Sequence, residues 1–442
     1  MRTILHIAFL FLLVSCVSAG CTPDDAEAPI WSDAPGDLTL GEGQTIRIAL
    51  TADGGAGEPY EWSAEGSAGI EANVEADGRL AVHAGYGGGD AGSVNVVLAD
   101  ADGNEETYEV AVKVAPLTWI ETRQWGSGEG PEPREHGSFI VDEEGGRVLL
   151  FGGSGYSPQT TPLNDLWEYA PGTGSWTEIQ TAGELPAGGG SMRVAIVSAE
   201  KKAYLFGGYG KDSLPNNELW EVAFSEEKVR FTKIDGNAPP APRFLHAFVY
   251  DAPGKRFIVF GGVSSALLDD VWEMRLAGGK AEWKKLDLDG GPTARYGFFY
   301  GYDEESRALV IFSGAQGTAT IDPAQDTWVL DLAADPPVWS LVAQGEEDGV
   351  PPGRRNGSFV WDPSGPRLLI FGGTADGQTT EPGLWAFDAR KGAYRWDRLE
   401  IEGEPEGRSS GFGFYDAVSG IAAMGFGNTK SAIFSDISRL GY

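Results

Sequence analysis

The chain repeats one short pattern, and this repetition constrains its fold more than any other feature. Each copy is an apolar, strand-like stretch that ends in Gly-Gly or Ser-Gly, and the copies follow one another at intervals of 52 to 59 residues. A period of about 50 residues indicates units that bury their apolar faces only by packing against neighbours. The strand ends lie at 148–153, 203–208, 257–262, 309–314 and 368–373, with a degenerate sixth copy ending at Gly427.

Two aromatic positions accompany each copy and indicate the remaining strands. An apolar residue followed by Trp predicts a third strand, and a later Trp or Phe predicts an outer strand. The predicted third strands contain Leu166–Trp167, Leu219–Trp220, Val271–Trp272, Thr327–Trp328, Leu384–Trp385 and Ile437–Ser438. The outer aromatics are Trp119, Trp176, Phe231, Trp283, Trp339 and Trp396.

The ends of the repeat predict how it closes. Trp119 precedes the first strand that ends in Gly-Gly, whereas the last unit ends at Tyr442 and contains no outer strand of its own. We therefore predict that residues 117–122 supply the fourth strand of the last unit. This closure removes the open sheet edge that a partial ring would expose.

These residues resemble the kelch-repeat β-propeller, also found as the central domain of galactose oxidase. The resemblance implies an all-β, six-bladed propeller over residues 116–442, closed by an N-terminal outer strand. Before it, residues 31–115 lack the repeat and alternate apolar and polar residues, as in Ser93–Leu98. Such alternation predicts a small β-sandwich. It resembles bacterial immunoglobulin-like domains, with Trp62 in its core.

The N-terminus resembles a bacterial lipoprotein signal. An apolar run follows Met1-Arg2, and small residues precede Cys21. We predict a signal peptide over residues 1–21, lipidation of Cys21 and a tether over residues 22–30, with Cys16 as a second candidate and a plain secretory signal as the alternative. The resemblance implies a lipid-anchored protein of the outer membrane, the cell surface or the periplasmic side.

Charge and cysteine content exclude several classes of function. The formal net charge is −32, from 65 acidic and 33 basic residues. Nucleic acids and anionic lipid surfaces attract basic proteins, so we predict no nucleic-acid partner and membrane attachment through the lipid anchor alone. Cys16 and Cys21 are the only cysteines. The folded body therefore has no disulfide and no thiolate metal site.

One set of charged residues recurs in register. Five units carry an Arg eight residues before a turn Asp, and in kelch propellers this segment opens the innermost strand at one mouth of the channel. Guanidinium groups bind carboxylate, sulfate or phosphate in a bidentate manner. They therefore predict a ligand site for a protein partner or an anionic carbohydrate, unless they serve only to lock the ring. The predicted site residues are Arg134, Arg243, Arg295, Arg354, Arg408, His246 and Tyr296, with Asn356 and Glu135 beside them and Arg355 and Arg193 as further rim charges.

Catalysis has little support in the sequence, and we predict no catalytic residue, metal or cofactor. The copper site of galactose oxidase needs a Cys-linked Tyr, and the Glu-x3-Asp-x3-His spacing of specifier proteins does not occur here. A propeller enzyme that processes sialic-acid-type sugars and a purely structural scaffold remain alternatives. Asp100 and Asp102 are either a calcium loop or a hairpin turn.

Overall fold

The chain is built from β-strands almost throughout. The computed structural model describes residues 28–442, apart from 56–57, 127, 143–145, 157–159, 182, 211, 225–228 and 318–321. The predicted signal peptide, Cys16, Cys21 and most of the tether lie outside the described residues. Within them, no helix is long and apolar enough to cross a membrane. The two helical turns are of the 3-10 type and cover Ser198–Glu200 and Glu346–Asp348.

The N-terminal part is a β-sandwich. A four-stranded sheet of order β2-β9-β8-β5 packs over a three-stranded sheet of order β3-β7-β6, and a ribbon β1-β4 flanks them. The strands are β1 (Pro29–Trp31), β2 (Leu38–Gly41), β3 (Thr45–Ala49), β4 (Ala52–Gly54), β5 (Glu61–Gly66), β6 (Ile70–Val74), β7 (Arg79–Ala84), β8 (Ala91–Ala99) and β9 (Glu105–Ala115).

The aromatic centre of the sandwich is Trp31 rather than Trp62. Trp31 is buried, whereas Trp62 on β5 is half-buried and meets the Trp31 ring edge-on at 5.5 Å. Asp100 closes the hairpin between β8 and β9, because its carboxylate accepts hydrogen bonds from the backbone N–H groups of Asp102 and Asn104. The relation of this sandwich to immunoglobulin-like domains stays a prediction.

The rest of the chain forms six sheets of four main strands, which we call blades one to six. Apolar residues that alternate along the first and second strands fill the spaces between neighbouring sheets. Blade one contains β12 (Ser138–Asp142), β13 (Arg147–Tyr156), β14 (Thr160–Ala170) and β15 (Ser175–Glu178), with the short β11 (Arg134–Glu135) beside it. Blade two contains β16 (Arg193–Val197), β17 (Lys202–Phe206), β18 (Leu219–Ala223) and β19 (Arg230–Ile234).

Blades three to six follow the same order. Blade three contains β21 (Ala247–Asp251), β22 (Arg256–Phe260), β23 (Val271–Ala277) and β24 (Lys280–Leu286), with the short β20 (Gly236–Asn237). Blade four contains β25 (Phe299–Asp303), β26 (Ala308–Phe312), β27 (Asp326–Asp331) and β28 (Val338–Gln344). Blade five contains β29 (Ser358–Asp362), β30 (Arg367–Phe371), β31 (Leu384–Asp388) and β32 (Arg395–Leu399). Blade six contains β33 (Phe412–Asp416), β34 (Ile421–Gly425), β35 (Asp436–Gly441) and, as outer strand, β10 (Thr118–Gln124).

Backbone hydrogen bonds join the blades into a closed ring. The second Gly of each Gly-Gly end donates its N–H to a carbonyl just before the first strand of the next blade, and the last of these bonds runs from blade six to blade one. The first strand after the sandwich, β10, pairs antiparallel with the last strand, β35. It therefore completes blade six, as the sequence predicts. The six links are Gly153 to Gly189, Gly208 to Arg243, Gly262 to Arg295, Gly314 to Arg354, Gly373 to Arg408 and Gly427 to Arg134, at 2.8 to 3.1 Å.

This linkage explains why only the second Gly is present in every copy. Its φ lies between 82° and 101° in all six blades, a region that side chains rarely adopt. The first position has φ between 55° and 70°, and Ser313 and Phe426 occupy it in blades four and six. The Gly-Gly signature therefore combines one tolerant position with one obligatory position.

Adjacent glycines in blade three provide a matched test of this explanation. A Cβ atom on Gly262 would lie 2.8 Å from the Phe244 carbonyl oxygen, whereas one on Gly261 would have nothing nearer than 3.1 Å. We expect Gly262→Ser to lower the free energy of unfolding by roughly 2 kcal/mol more than Gly261→Ser. Denaturant titration of both variants measures the difference, and equal losses would contradict the proposed role of the second Gly.

The sandwich packs on one face of the ring, where the hairpins between first and second strands lie. We call this the hairpin face. Arg367 is buried there, pairs with Asp362 at 2.6 Å and donates hydrogen bonds to the hydroxyl groups of Tyr86 and Tyr442. Ion pairs that cross the boundary between the sandwich and the ring include Arg47 to Glu305 at 3.1 Å and Arg390 to Glu71 at 2.9 Å. The opposite face carries the loops between second and third strands, and we call it the loop face.

Candidate functional site

The five repeated arginines lie inside the blades. Their relative exposure is 2% or less. In blade four, Arg295 donates from Nε to the Thr293 carbonyl at 2.9 Å and from its terminal nitrogens to both oxygens of Asp326 at 2.6 and 3.1 Å. We call this two-pronged ion pair between an arginine and an aspartate a fork. The same fork joins Arg134 to Asp165, Arg243 to Asp270 and Arg408 to Asp436. Each fork ties the segment before the first strand to the start of the third strand of its own blade.

Within these pairs, Asp165 and Asp270 have the lowered pKa values expected of carboxylates in internal ion pairs. Burial raises the pKa of Asp270, but the hydrogen bonds and charge of Arg243 outweigh it and hold that pKa below its ordinary value. Asp165 beside Arg134 has a lowered pKa for the same reasons. A carboxylate with a lowered pKa keeps its charge, which the buried guanidinium requires.

The predicted arginine-ringed mouth therefore needs correction. Arg134, Arg243, Arg295, Arg354 and Arg408 are buried and hold the blades together, so a ligand on the surface does not reach them. His246 is also fully buried and lies edge-on against Phe206 at 5.5 Å. Of the seven predicted ligand-binding residues, Tyr296 alone remains partly exposed. The side-chain contacts of these arginines are structural, and they lie within single blades rather than between neighbouring blades.

Blades two and five lack this arginine–aspartate fork. In blade two Gly189 replaces the Arg, and a Cβ atom there would lie 1.7 Å from the Tyr209 carbonyl oxygen, so the backbone leaves no room for any side chain. In blade five Gly383 stands where the other blades have the acidic partner, and Arg354 makes no ion pair among the described residues. Burial lowers the pKa of Arg354 to about 10.

A second ring of residues surrounds the axis on the loop face, two positions after each of these arginines. Its members have φ between 55° and 65°, and five of the six links between them are backbone hydrogen bonds of 2.5 to 3.1 Å. We call this the inner ring. Its residues are His136, Ser191, Leu245, Gly297, Asn356 and Ser410. One residue separates each buried arginine from the inner-ring residue that follows it. The side chains of these intervening residues border the mouth of the channel on the loop face.

Arg355 is a cation of the loop face that lies beside an aromatic ring. Its guanidinium lies over the Tyr296 ring at 5.3 Å and donates to the Tyr296 hydroxyl at 3.0 Å. Arg355 is half-buried and forms no ion pair with any residue that the structure describes. Its Nε atom is buried without an acceptor there, and so is Oδ1 of the neighbouring Asn356 without a donor. Buried polar groups normally have partners, so these two atoms are exceptions to that rule.

Aromatic side chains continue the loop face around the axis. The rings of His136 and Tyr209 meet edge-on at 6.2 Å, and those of Tyr209 and Phe244 at 5.7 Å. Leu214, on the loop that follows Tyr209, is 62% exposed. Tyr, Phe and Arg are enriched in protein-binding surfaces, where they supply rigid contact area.

Two titratable groups on this face have shifted pKa values. Burial lowers the pKa of His136 to about 4, and the nearby charges of Arg193 and Arg355 act in the same direction. Burial raises the pKa of Glu135, against the effect of its hydrogen bond from Asn428. His136 is therefore neutral at pH 7. Among the described residues no cluster of three or more His, Cys, Asp or Glu side chains could hold a metal ion.

Comparison with known proteins agrees with this architecture. Residues 100–290 match the KLHDC2/KLHL20/DRC7 Kelch-repeats domain. This match covers less than half of the chain, and the ring itself has the fold of a β-propeller. A copper-bound fungal alcohol oxidase of the AA5 family has a similar fold, with a TM-score of 0.50 and 12% identity over 73% of this chain and 76% of that one. At this identity the likeness concerns the fold alone.

Curated relatives of the chain include eukaryotic proteins. A putative adagio-like protein 2 of rice is 27% identical over 65% of this chain and 46% of its own length. The host cell factor homolog hcf-1 of Caenorhabditis elegans is 28% identical over 47% of this chain and 27% of its own length. The chain thus spans less than half of these relatives, and the bacterial origin expected from the N-terminus stays a prediction.

The repeated arginines that the sequence predicts as ligand-binding are buried, and a ligand site at their strand ends stays a prediction. Arg355 and Arg193, which the sequence indicates as further rim charges, each lack a carboxylate partner among the residues that the structure describes. The acidic partners of the repeated arginines could have been found. An Asp stands immediately before the third strand's apolar-aromatic pair in blades one, three and four.

Proposed function

We propose that this chain is a non-catalytic recognition protein whose kelch propeller binds an acidic segment of a partner protein on its loop face. Arg355 is the observation that carries the proposal. Its guanidinium is fixed by Tyr296, has no carboxylate partner among the described residues and lies in a protein of net charge −32. A desolvated, pre-oriented guanidinium binds a carboxylate strongly and with defined geometry.

The surroundings of Arg355 favour a protein ligand. Tyr209, Phe244, His136 and the exposed Leu214 provide an aromatic and apolar surface next to the cation. Peptides use such surfaces as anchors, with a charged residue to fix the register. An anionic carbohydrate would use the same cation but fewer of the apolar contacts. Recognition of an acidic segment is thus the function that the loop face supports best.

A peptide-display experiment tests this proposal. Random peptides are selected on the full-length protein, and the enriched peptides are then measured against Arg355→Ala and against Arg230→Ala, an exposed arginine on the outer strand β19. We expect enriched peptides to contain Asp or Glu and to bind Arg355→Ala at least about tenfold more weakly, because a charge-assisted hydrogen bond is lost. Peptides without acidic residues, or equal binding to both variants, would exclude an acidic segment at Arg355.

We also propose that the protein is anchored to the cell envelope through a lipidated Cys21. The support is the sequence pattern around Cys21, which precedes the described residues. Mass spectrometry of the N-terminal peptide tests the anchor. A diacylglyceryl-modified Cys21 supports it, and an unmodified N-terminus in the soluble fraction rejects it.

A further inference from the structure

The axis of the propeller holds a cavity that is separate from the loop-face surface. It opens between the hairpins on the hairpin face and has a volume of about 900 Å³. Cavities of roughly 300–1,000 Å³ accommodate organic ligands. The aromatic side chains in its wall include Tyr250, Tyr300, Tyr302, Phe359, Trp361 and Tyr415.

A cation, Arg193, lies against the aromatic wall of this cavity. Arg193 is the first residue of β16, next to the wall residue Val194. Its guanidinium reaches across the axis to blades four and five, 5.6 Å from the centre of the Tyr300 ring and 5.7 Å from that of Phe359. Both rings line the cavity, so the positive charge of Arg193 lies against the aromatic part of its wall.

A hydrogen bond holds the guanidinium of Arg193 in place, but no carboxylate among the described residues neutralises its charge. Its Nε donates to the His246 carbonyl at 2.9 Å, and its terminal nitrogens have neither a hydrogen bond nor an ion pair with the residues that the structure describes. Burial lowers the pKa of Arg193, and the group that opposes this shift is Tyr300 rather than a carboxylate. A cation in this setting binds an anion more strongly than it would in water.

The rim of the cavity has the opposite charge. Glu200, Glu304 and Glu305 lie there, and Lys255 is the basic residue among the rim positions. Glu305 is partly neutralised by Arg47 of the sandwich at 3.1 Å. Acidic groups at the opening disfavour polyanions, whereas a ligand with one negative charge and an apolar body passes them at a smaller electrostatic cost.

We propose that the axial cavity binds a small organic monoanion with an aromatic or apolar body. The anionic group pairs with the terminal nitrogens of Arg193, and the body packs between Tyr300, Tyr302 and Phe359. This site differs from the one proposed for Arg355 in its cation and in the aromatic residues around it. Either proposal can fail without the other.

A pair of fluorescent probes tests this site on the full-length protein. 1-Anilinonaphthalene-8-sulfonate carries an aromatic body and one sulfonate, and N-phenyl-1-naphthylamine has the same body without the charge. We expect the sulfonate probe to bind with a stoichiometry of about one, and Arg193→Met to weaken its binding at least about tenfold while leaving the neutral probe within about twofold. Near-ultraviolet circular dichroism verifies that the variant is folded.

Other outcomes of this experiment overturn the proposal. They are absence of binding by the sulfonate probe, equal affinity for wild type and Arg193→Met, or an equal loss for both probes. Arg193→Lys, which keeps the charge, serves if Arg193→Met does not fold, and it is expected to retain part of the preference for the sulfonate. A crystal soak of the wild-type protein needs no variant: sulfonate density at Arg193 supports the site, and density only elsewhere rejects it.

Discussion

Replacing Asp326 with Asn is expected to lower the free energy of unfolding by about 3–5 kcal/mol. The substitution keeps the size of the side chain but removes the charge that accompanies Arg295, which is fully buried. A buried guanidinium without a counter-charge costs more than the loss of the ion pair itself. Denaturant titration at pH 7 measures the change.

The double variant Arg295→Met/Asp326→Asn distinguishes a buried pair from a simple contact. Because it removes both charges, we expect it to recover a large part of the stability that Asp326→Asn loses. Arg354→Met supplies a second control, since Arg354 makes no ion pair among the described residues, and it should cost less than Asp326→Asn. A loss under about 1 kcal/mol for Asp326→Asn would show that the forks do not stabilise the blades.

Stability is expected to fall between pH 7 and pH 5, because buried histidines resist protonation in the folded state. Burial lowers the pKa of His83 to about 4 and that of His246 well below its ordinary value. In the unfolded chain histidine takes up a proton near pH 6.5. Below that pH the unfolded state binds more protons than the folded state, so stability present above pH 6.5 is lost as the pH falls. The loss at pH 5 is about 2 kcal/mol for each such histidine.

His246→Phe isolates one of these contributions. Phe suits the pocket beside Phe206, and neither ring nitrogen of His246 has a partner among the described residues. The difference in unfolding free energy between His246→Phe and wild type should widen by about 2 kcal/mol from pH 7.5 to pH 5. Using a difference cancels the effect of the net charge, which also changes with pH. Parallel profiles for the two proteins would contradict the lowered pKa of His246.

The repeated residues predicted the fold because the same physical demand recurs in every blade. The second Gly must adopt a φ that other residues avoid, and the third-strand and outer-strand aromatics fill equivalent spaces between sheets. Trp31 shows the limit of this reasoning. It lies at the edge of the alternating pattern in a three-residue strand, so the better-patterned Trp62 was assigned to the core of the sandwich instead.

The candidate site could be predicted only in part, because repetition and function lead to different residues. Arg295 and its counterparts recur because the same internal ion pair is built into four of the six blades. Arg355 and Arg193 occur once each, and nothing in their spacing shows that they lack a carboxylate partner. Their significance depends on Tyr296, Tyr300 and Phe359, which reach them across the axis from other blades. Contacts of this kind follow from the three-dimensional ring.

Arginine modification of the native full-length protein tests the central claim most directly. The claim is that the repeated arginines are internal, whereas Arg355 is available on the loop face. With phenylglyoxal and mass spectrometry, we expect Arg355 to react in the folded protein and Arg134, Arg243, Arg295 and Arg408 to stay protected until it is unfolded, with exposed Arg230 as the internal reference. Modification of these four at the rate of Arg230, or complete protection of Arg355, would contradict the account.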